Sequence, residues 1–350
     1  MKALVFPQHS PDLAVYRLID DMPMPEIGPE DVLLKVHYSA LNRLDDFVRR
    51  GWKGLNLTMP HIPGSDFAGE IAALGERVSG WQVGQRVSGN PTLFCGRCRY
   101  CLRGDHHLCE QFGILGEHAR GACAEFVCIP ARNLIPLPAG FDLKLAAAAS
   151  LVYLTAWRSL IVDGGVRPGE RVLIVGAGGG VNIACIQLAK IAGAEAWVIA
   201  ADADKAAKAL ALGADWVHDR SADPDWGRAV WKRSDRQGVE VVVDNVGAAT
   251  WGSSLRSLAR QGRLLTVGGT SGYSAETPVN LVFGRQVRII GSTMGNMEDA
   301  HQAFRLVVSG AVTPVIDSVW PLANYVDALR HMLAGDHFGK IVIAVAGASA

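Results

Sequence analysis

Four cysteines in one short segment have the residue type and the spacing of a metal site. They are Cys95, Cys98, Cys101 and Cys109, in the pattern C-x2-C-x2-C-x7-C. Four thiolates can surround one Zn²⁺ tetrahedrally, and such a site braces a loop without leaving a position for water. Two disulfides or an iron–sulfur cluster would use the same residues, but disulfides are rare in a reducing compartment. We therefore predict one structural zinc ion in a lobe at residues 95–109.

A glycine-rich turn is the second candidate site. The sequence RVLIVGAGGG (171–180) is typical of a short buried strand that ends in glycines, and VNIACIQLAKIAG (181–193) follows with a helical pattern. Glycines here let the backbone N–H groups of a helix start approach a phosphate. The third glycine position of the strict fingerprint falls on Asn182, where we expect looser packing. The residues predicted to bind a dinucleotide are Gly176, Gly178, Gly179, Gly180 and Val181.

The end of the second strand, AEAWVIAAD (194–202), bears on which nicotinamide cofactor binds. Ala200 leaves room for a 2′-phosphate and Lys205 could neutralise it, whereas Asp202 favours the ribose hydroxyls of NAD(H). The sequence leaves the choice open, and we favour NADP(H). Further cofactor contacts are expected where later strands end, since ligands bind at the carboxyl ends of such strands. These positions are Val246, Gly268, Gly269 and Thr293.

The composition is typical of a globular chain of about two domains. Its 350 residues include 34 Lys plus Arg and 34 Asp plus Glu, so the formal net charge is zero. That balance argues against a protein whose main work is binding nucleic acid or an anionic membrane. The first residues, MKALVFPQHS, lack the apolar core of a secretory signal, so we expect a cytoplasmic protein.

Two kinds of pattern divide the chain. Residues 1 to about 150 hold short β-type runs broken by glycines and prolines, typical of an irregular β-rich domain. From about 150, strands alternate with helices, which predicts an α/β fold with a doubly wound parallel sheet. WGSSLRSLARQG (251–262) is one predicted helix of that series. The part from about 296 carries two helical patterns and a last strand, KIVIAVAG (340–347), and we expect it to return to the first domain.

Together these features resemble the medium-chain dehydrogenase/reductase superfamily, in particular its zinc alcohol dehydrogenases and quinone-oxidoreductase relatives. The resemblance covers nearly the whole chain. It rests on PGSDFAGEIAALGERVSGWQVGQRV (63–87), the four-cysteine lobe, AAAASLVYLTAW (146–157), the glycine turn, VVVDNVG (241–247) and FGKIVI (338–343). It implies a GroES-like β-rich catalytic domain at 1–151 and 296–350, and a Rossmann dinucleotide-binding domain at 152–295.

The sequence departs from this family at one set of positions. Alcohol dehydrogenases that it resembles hold a second, catalytic zinc by a cysteine, a histidine and another cysteine. By resemblance, these ligand positions fall on Asn42, Ser65 and Leu151. An amide, a hydroxyl and an aliphatic chain cannot replace thiolate and imidazole as zinc ligands. We therefore expect one structural zinc and no catalytic zinc.

The missing ligands change the expected chemistry. Without a Lewis acid an alkoxide is hard to stabilise, whereas a conjugated carbonyl or a quinone spreads the charge itself and needs only fixed hydrogen-bond donors. Quinone-oxidoreductase relatives also carry an asparagine at the Asn42 position, so Asn42 is our candidate donor. By resemblance, Thr155 lies against the nicotinamide, Tyr153 lines the pocket or donates a proton, and Lys340 lies near the cofactor phosphates. Each of the four has an ordinary structural alternative, as a loop, helix, core or surface residue.

The leading hypothesis is an NAD(P)H-dependent reductase of conjugated carbonyls or quinones that works without a catalytic zinc. The alternatives are an alcohol or aldehyde dehydrogenase with an unusual metal site, and a cofactor-binding protein without turnover. We expect a small-molecule substrate and no nucleic-acid or membrane partner. The resemblance implies a homodimer or homotetramer, paired through the strand RQVRIIGST (285–293).

Overall fold

The apolar runs of the sequence form strands, and the runs with helical periodicity form helices. The structure is a computed structural model that describes residues 1–345. The strands of this range are β1 (Ala3–Val5), β2 (Arg17–Ile19), β3 (Asp31–Ala40), β4 (Ala68–Leu74), β5 (Arg86–Gly89), β6 (Thr92–Leu93), β7 (Gly113–Ile114), β8 (Phe126–Pro130), β9 (Leu134–Pro136), β10 (Arg171–Val175), β11 (Glu195–Ala200), β12 (Trp216–Asp219), β13 (Val239–Asp244), β14 (Leu258–Thr266), β15 (Arg288–Gly291), β16 (Ile316–Pro321) and β17 (Lys340–Ala344).

The α-helices of the same range lie between these strands. They are α1 (Arg43–Arg50), α2 (Leu143–Ala156), α3 (Gly180–Ile191), α4 (Ala203–Ala211), α5 (Trp226–Arg233), α6 (Trp251–Ser257), α7 (Val279–Arg285), α8 (Met297–Val308) and α9 (Tyr325–Ala334). A π-helical stretch, Trp157–Asp163, continues α2.

The chain divides into two units. The β-rich unit contains Met1–Leu154 and Gly295–Ala350, and the parallel-sheet unit contains Thr155–Met294. The boundaries predicted at 151/152 and 295/296 lie close to these divisions. Residues 346–350, which the prediction assigned to the first domain and whose first two residues it placed in the last strand, lie outside the described residues.

The parallel-sheet unit has the strand order of a doubly wound fold. Its six strands lie in the order β12-β11-β10-β13-β14-β15, and every neighbouring pair is parallel. Counted from β10 as the first strand, this is the order 3-2-1-4-5-6 that dinucleotide-binding sheets share. The central strands are buried on both faces, which is why they read as continuous apolar runs. Their carboxyl ends form one edge.

The β-rich unit is built on a mostly antiparallel sheet of β16-β17-β3-β4-β5-β9, with β8 paired to β3. β17 returns from the C-terminal part and pairs with β3, with Val342 opposite Ala40. Extending that antiparallel register by two residues places Lys340 opposite Asn42. The last strand therefore delivers a lysine to the residues that follow β3.

The helix predicted at 251–262 is wrong beyond Ser257. α6 ends there, and the chain continues as β14 from Leu258. Leu258 lies opposite Val239 in the sheet and is completely buried, and a register shift follows. Gln261 takes a left-handed φ of 61°, which a helix cannot contain. Leu258, whose spacing suggested a helix, is instead a buried residue of a strand.

Within residues 1–345, one helical stretch is long and apolar enough to span a bilayer by length and composition. It runs from Leu143 to Asp163. In its most apolar window, however, 72% is buried inside the protein. Such burial is typical of a core helix, and the high content of alanine fits close packing against neighbours.

Arg263 on β14 ties the loop after the π-helical stretch to the sheet. Its buried guanidinium donates to the carbonyl oxygens of Gly164 and Gly165. It also donates to both carboxylate oxygens of Glu170, at 2.9 and 2.6 Å. Bidentate, charge-assisted bonds of this kind are among the strongest in proteins.

Replacing Arg263 with alanine should lower the free energy of unfolding by about 3 kcal/mol, because the Glu170 carboxylate and two carbonyls lose their donor. Urea unfolding followed by circular dichroism measures the change. The control is Arg260→Ala, at an exposed position of the same strand, which should shift the free energy by less than about 0.5 kcal/mol. Equal shifts for the two variants would contradict the role given to Arg263.

Candidate active site and cofactor site

The four cysteines of the β-rich unit converge on one point. All four Sγ atoms lie within 4.8 Å of one another, and three of the separations are 3.6, 3.9 and 4.0 Å. A tetrahedral zinc ion with bonds of about 2.3 Å separates its sulfur ligands by about 3.8 Å. Backbone N–H groups of Arg97 and Cys98 donate to Cys95 Sγ, and that of Gln111 donates to Cys109 Sγ. The donor set therefore fits a structural zinc ion, since such bonds stabilise thiolate ligands.

The thiols of this cluster differ in acidity. Backbone N–H groups of Cys101 and Glu110 lower the pKa of the Cys98 thiol to about 6. Burial raises the pKa of the Cys101 thiol to about 12. Four thiolates at neutral pH therefore require a cation, and a metal ion supplies that charge.

Neighbouring elements hold the lobe in place. β6 and β7 pair at its base, with Thr92 opposite Ile114. The ring of His106 stacks on Phe94 at 4.1 Å, and its Nδ1 accepts from the Met297 N–H at 3.2 Å. His106 is thus a structural residue that fastens the lobe to α8.

The predicted glycine turn lies between β10 and α3 in the parallel-sheet unit. Gly176 has a φ of +105°, and a Cβ there would lie 2.8 Å from Asn182 Nδ2. Gly179 is the N-cap of α3, and a Cβ built on it would meet no heavy atom of the described chain within 4 Å. In the described residues no N-cap side chain accepts from the first N–H groups of α3. A cofactor phosphate fits such a helix start.

Asn182 closes this turn, contrary to the looser packing expected from the missing glycine. Its Nδ2 donates to the carbonyl oxygens of Val175 and Gly176, both at 3.0 Å. Its Oδ1 accepts from Asn245 Nδ2 at 2.9 Å, and Asn245 Oδ1 accepts from the Val267 N–H at 3.2 Å. The two amides thus connect the ends of β10, β13 and β14. We call them the asparagine clamp.

The other predicted cofactor residues of this unit follow the ends of its strands. The sheet brings the glycine turn and four further strand ends to one edge, because all six strands are parallel. Ala200 is the last residue of β11. The positions after the strands are Asp202 (β11), Val246 (β13), Gly268 and Gly269 (β14) and Thr293 (β15). Val181 lies in the first turn of α3, beyond Gly178 and Gly180. Their contacts with a cofactor stay predictions.

The end of β11 carries the residues that bear on the choice between NAD(H) and NADP(H). Asp202 is the N-cap of α4, and its Oδ1 accepts from the Lys205 N–H at 2.8 Å. Lys205 Nζ lies 4.0 Å from the other oxygen of Asp202. The acidic residue therefore has a structural task in the helix cap, which leaves Ala200 as the small residue at the strand end.

A buried carboxylate, Asp66, joins the positions at which the resemblance places catalytic-zinc ligands. Its Oδ1 accepts from the Leu151 N–H at 2.7 Å, and its Oδ2 accepts from Asn42 Nδ2 at 2.8 Å. Ser65 precedes it in the chain, with a buried hydroxyl that has no partner among the described residues. Lys340 Nζ forms an ion pair with Asp66 Oδ2 at 2.8 Å. We call Asn42, Asp66, Lys340 and the Leu151 N–H the Asp66 network.

Lys340 is committed to this network. Its ammonium donates to the carbonyl of Leu41 at 2.6 Å and to Asn42 Oδ1 at 2.7 Å, besides pairing with Asp66. Its side chain is only 5% exposed. Three acceptors occupy its three hydrogens, so a contact with a cofactor phosphate would require breaking one of these bonds. That role, inferred by resemblance, stays a prediction.

Asp45 fastens the start of α1 to the same region. Its carboxylate accepts from the N–H groups of Asn42 at 2.7 Å and of Gly64 at 3.0 Å. Burial raises its pKa to about 6, although both hydrogen bonds and Lys340 oppose that rise. The loop that carries Asn42 is therefore anchored to the segment that carries Ser65 and Asp66.

A second zinc ion does not fit these residues. Asn42 Oδ1 already accepts from an ammonium, Ser65 offers a neutral hydroxyl, and Leu151 offers no side-chain donor atom. Within residues 1–345, the four cysteines form the one group of three or more His, Cys, Asp or Glu residues that could hold a metal ion. The Lys340 ammonium occupies the oxygen atoms of Asn42 and Asp66 that a metal ion would need as electron-pair donors.

Tyr153 and Thr155 belong to different units. Tyr153 is a core residue of α2 in the β-rich unit. Thr155 begins the parallel-sheet unit, and its hydroxyl donates to Met294 Sδ at 3.9 Å. Their predicted roles beside the nicotinamide and the substrate stay predictions.

Sequence reasoning missed several polar residues of these sites. The sequence suggests Asp66 only as a less favoured alternative metal ligand beside His61, and it does not single out Asn245, because a polar residue at a strand end is common. Asp244 is completely buried and accepts from the hydroxyls of Thr250 and Ser254. The contacts of Asp66 with Leu151 and of Asn245 with Asn182 span 85 and 63 residues, so no local pattern predicts them.

Zinc analysis of the purified protein should find one ion per chain, and Cys101→Ser should hold none, since a serine hydroxyl is a poor fourth ligand. Inductively coupled plasma mass spectrometry measures the content. Cys128→Ser, outside the cluster, is the control and should keep its zinc. Zinc retained by Cys101→Ser, or two ions in the wild type, would contradict the assignment.

Asn182→Ala should raise the dissociation constant of the nicotinamide cofactor about tenfold, because losing the bonds to two carbonyls loosens the turn by about 1.4 kcal/mol. Isothermal titration calorimetry measures the affinity. Gln187→Ala, on the same helix away from the turn, is the control. Unchanged binding by Asn182→Ala would show that the clamp does not shape the cofactor site.

Two protein-family models match the chain, one in the β-rich unit and one mostly in the parallel-sheet unit. Residues 28–139 match the family described as alcohol dehydrogenase GroES-like domain, and residues 180–309 match the family described as zinc-binding dehydrogenase. The matches confirm the predicted fold, a GroES-like unit and a Rossmann unit.

Similarity to individual proteins extends over the whole chain. It is 30% identical to an L-threonine 3-dehydrogenase of Rhizobium rhizogenes over 98% of both proteins. It is 28% identical to an acryloyl-coenzyme A reductase of Sulfurisphaera tokodaii, covering 98% of this chain and 99% of that one. A crystal structure of an NAD-dependent alcohol dehydrogenase superimposes with a TM-score of 0.94 at 38% identity, covering 99% of this chain and 100% of that chain. The chain belongs to the medium-chain dehydrogenase/reductase superfamily and is an NAD(P)-dependent oxidoreductase.

Proposed function

We propose that this protein reduces conjugated carbonyl compounds or quinones with NAD(P)H and without a catalytic zinc ion. The Asp66 network is the observation that carries the proposal. At one of the positions where the resemblance expects a catalytic-zinc ligand, the Asn42 amide is bonded to the Asp66 carboxylate and the Lys340 ammonium, which also pair with each other. A substrate that delocalises its own negative charge suits such a site.

The network prepares Asn42 as a hydrogen-bond donor. One hydrogen of its Nδ2 is given to Asp66, and the other has only a long contact of 3.5 Å to the carbonyl of Ala40. The Lys340 ammonium on Oδ1 polarises the amide and strengthens its N–H groups. A bound nicotinamide cofactor supplies the hydride, and Asn42 stabilises the charge that develops on the substrate oxygen.

Two of the similar proteins are named as reductases of coenzyme A thioesters. One is named acryloyl-coenzyme A reductase, and another, a crotonyl-CoA reductase of Streptomyces avermitilis, is 29% identical over 94% of this chain and 82% of that protein. Their names describe substrates with a conjugated double bond. This similarity supports a reductase of activated double bonds.

We propose NADP(H) as the preferred cofactor and zinc as the ion of the cysteine lobe. The small Ala200 at the end of β11 supports the first proposal. The sulfur separations support the second. We further propose a cytoplasmic protein that acts on small molecules.

We propose that two copies pair along β15. This strand lies at the edge of the six-stranded sheet, and its Ile289 is exposed. On neighbouring α7, Val279 and Phe283 are also exposed. An edge strand flanked by apolar side chains offers the backbone and the surface that a homodimer buries.

The second candidate function is an alcohol or aldehyde dehydrogenase. Relatives named threonine and alcohol dehydrogenases favour it. Such a reaction without a Lewis acid would need a strong base or a metal ion brought by other residues. Zinc content separates this candidate from the reductase, since two ions per chain would favour the dehydrogenase.

The purified protein should oxidise NADPH when supplied with cyclohexenone, benzoquinone or crotonyl-CoA, and added zinc should not raise the rate. Absorbance of the reduced cofactor measures turnover, with NADH in a parallel series. Alcohols with NADP⁺ or NAD⁺ form the control series and should give rates lower by about 10²-fold, given the missing Lewis acid. Turnover of alcohols alone, or an absolute requirement for added zinc, would overturn the proposal.

A further inference from the structure

Glu117 lies on a tight loop that is fastened to the segment carrying Ser65 and Asp66. The loop turns back on itself through the N–H of Glu117, which donates to the carbonyl of Ile114 at 3.1 Å. The N–H of Ala122 donates to the carbonyl of Gly64 at 2.8 Å. These bonds fix where the Glu117 side chain begins.

The two segments touch backbone to backbone. Gly116 has a φ of +78°, and a Cβ there would lie 2.6 Å from the carbonyl carbon and oxygen of Gly64. His61 Nε2 lies 3.1 Å from the carbonyl of Gly116 and adds a second connection. Glu117 therefore follows directly after Gly116, which contacts the segment that contains Asp66.

The Glu117 carboxyl group is buried without a hydrogen bond among the described residues. Its side chain is 11% exposed, so it keeps a small opening to its surroundings. His118 Nδ1 lies 3.7 Å from a carboxylate oxygen of Glu117, and that nitrogen accepts from the Ile114 N–H at 3.2 Å. An imidazole nitrogen that accepts has no proton to offer the carboxylate.

The surrounding groups do not favour a charged carboxylate. Burial raises the pKa of Glu117 to about 7, lowers that of His118 and lowers that of His61 to about 4. Arg120, on the same loop, donates to the carbonyl of Pro60 instead. Asp66, on the segment packed against the loop, is paired with Lys340.

A buried polar group without a partner costs stability, so its presence calls for a function. Ser65 adds a second case on the contacting segment, since its buried hydroxyl also lacks a partner in residues 1–345. Glu117 and Ser65 therefore lie on two segments in backbone contact, and a bound molecule between those segments would supply the partner that each lacks.

We propose that Glu117 is the catalytic acid that protonates the reduced substrate, an assignment that rests on the proposed function. Once the hydride has bonded to the β-carbon of a conjugated carbonyl compound, the π electrons reside in an enolate. The O–H bond of Glu117 then breaks while a C–H bond forms at the α-carbon with the enolate electron pair. Glu117 becomes a carboxylate and regains a proton from solvent, so one NAD(P)H and one proton are consumed for each substrate reduced.

A catalytic acid and a structural glutamate predict opposite effects on stability. The folded-state pKa lies above the ordinary value of 4.5, so the folded protein holds the extra proton between about pH 4.5 and 7. Stability therefore falls as pH rises through that window, because the buried carboxylate has no partner. Glu117→Gln has no proton to lose and should be as stable as the wild type, or more stable, at alkaline pH.

The test compares Glu117→Gln with the wild type in the reduction of cyclohexenone by NADPH, across about pH 5 to 9. We expect kcat to fall about 10²-fold and the alkaline decrease of the wild-type profile to disappear. Glu117→Asp should keep that decrease at a lower rate. Glu76→Gln, an exposed glutamate of the same unit, is the control and should resemble the wild type.

Three results would overturn the assignment. If Glu117→Gln reacts at the wild-type rate, Glu117 is not the catalytic acid. If the variant loses activity and also melts at a lower temperature at alkaline pH, Glu117 is a structural residue. A wild type that reduces neither cyclohexenone, benzoquinone nor crotonyl-CoA rejects the proposed function and the acid with it. The wild-type assay therefore distinguishes failure of the reaction from failure of Glu117.

Discussion

The ion pair between Lys340 and Asp66 is a costly feature to build inside a protein. Each charge loses several kcal/mol of hydration when it is buried, and a pair is tolerated only when hydrogen bonds satisfy both groups. Here the ammonium has three oxygen acceptors, and the carboxylate accepts from Asn42 and the Leu151 backbone as well as from Lys340. The pair therefore fixes how the loop after β3, the segment at Ser65, α2 and β17 meet. The proposed role of Asn42 depends on that meeting point.

The charge of this arrangement also constrains the reaction. A zinc ion would bring two positive charges beside a developing alkoxide, whereas the Lys340–Asp66 pair brings no net charge. A localised alkoxide would gain only dipoles from such a site. An enolate or a hydroquinone anion needs less, because its charge is spread over several atoms, and one or two fixed donors can stabilise it. The proposed preference for conjugated substrates rests on this charge balance.

Patterns that are local in sequence predicted their part of the structure well. The cysteine spacing brought four sulfur atoms together, and the alternation of apolar runs and helices gave a doubly wound sheet with its glycine turn at a strand end. The helix expected at 251–262 was wrong because Leu258 pairs with Val239, a contact that local periodicity cannot reveal. Lys340 meets Asn42 across 298 residues, and only the register of β17 on β3 brings them together. The buried state of Glu117 likewise follows from a contact between two distant glycines.

Two departures from the family pattern share one physical solution. Asn42 stands where the resemblance places a metal ligand, and Asn182 stands where the fingerprint has a glycine. Each side chain carries both donors and an acceptor, so it can bond to two groups at once. Asn42 joins an ammonium to a carboxylate, and Asn182 joins two carbonyls to the amide of Asn245. In the sequence, Asn42 looks like a lost metal ligand and Asn182 like a lost glycine. In the fold, each cross-links separate segments: Asn42 those of the Asp66 network, and Asn182 those of the glycine turn.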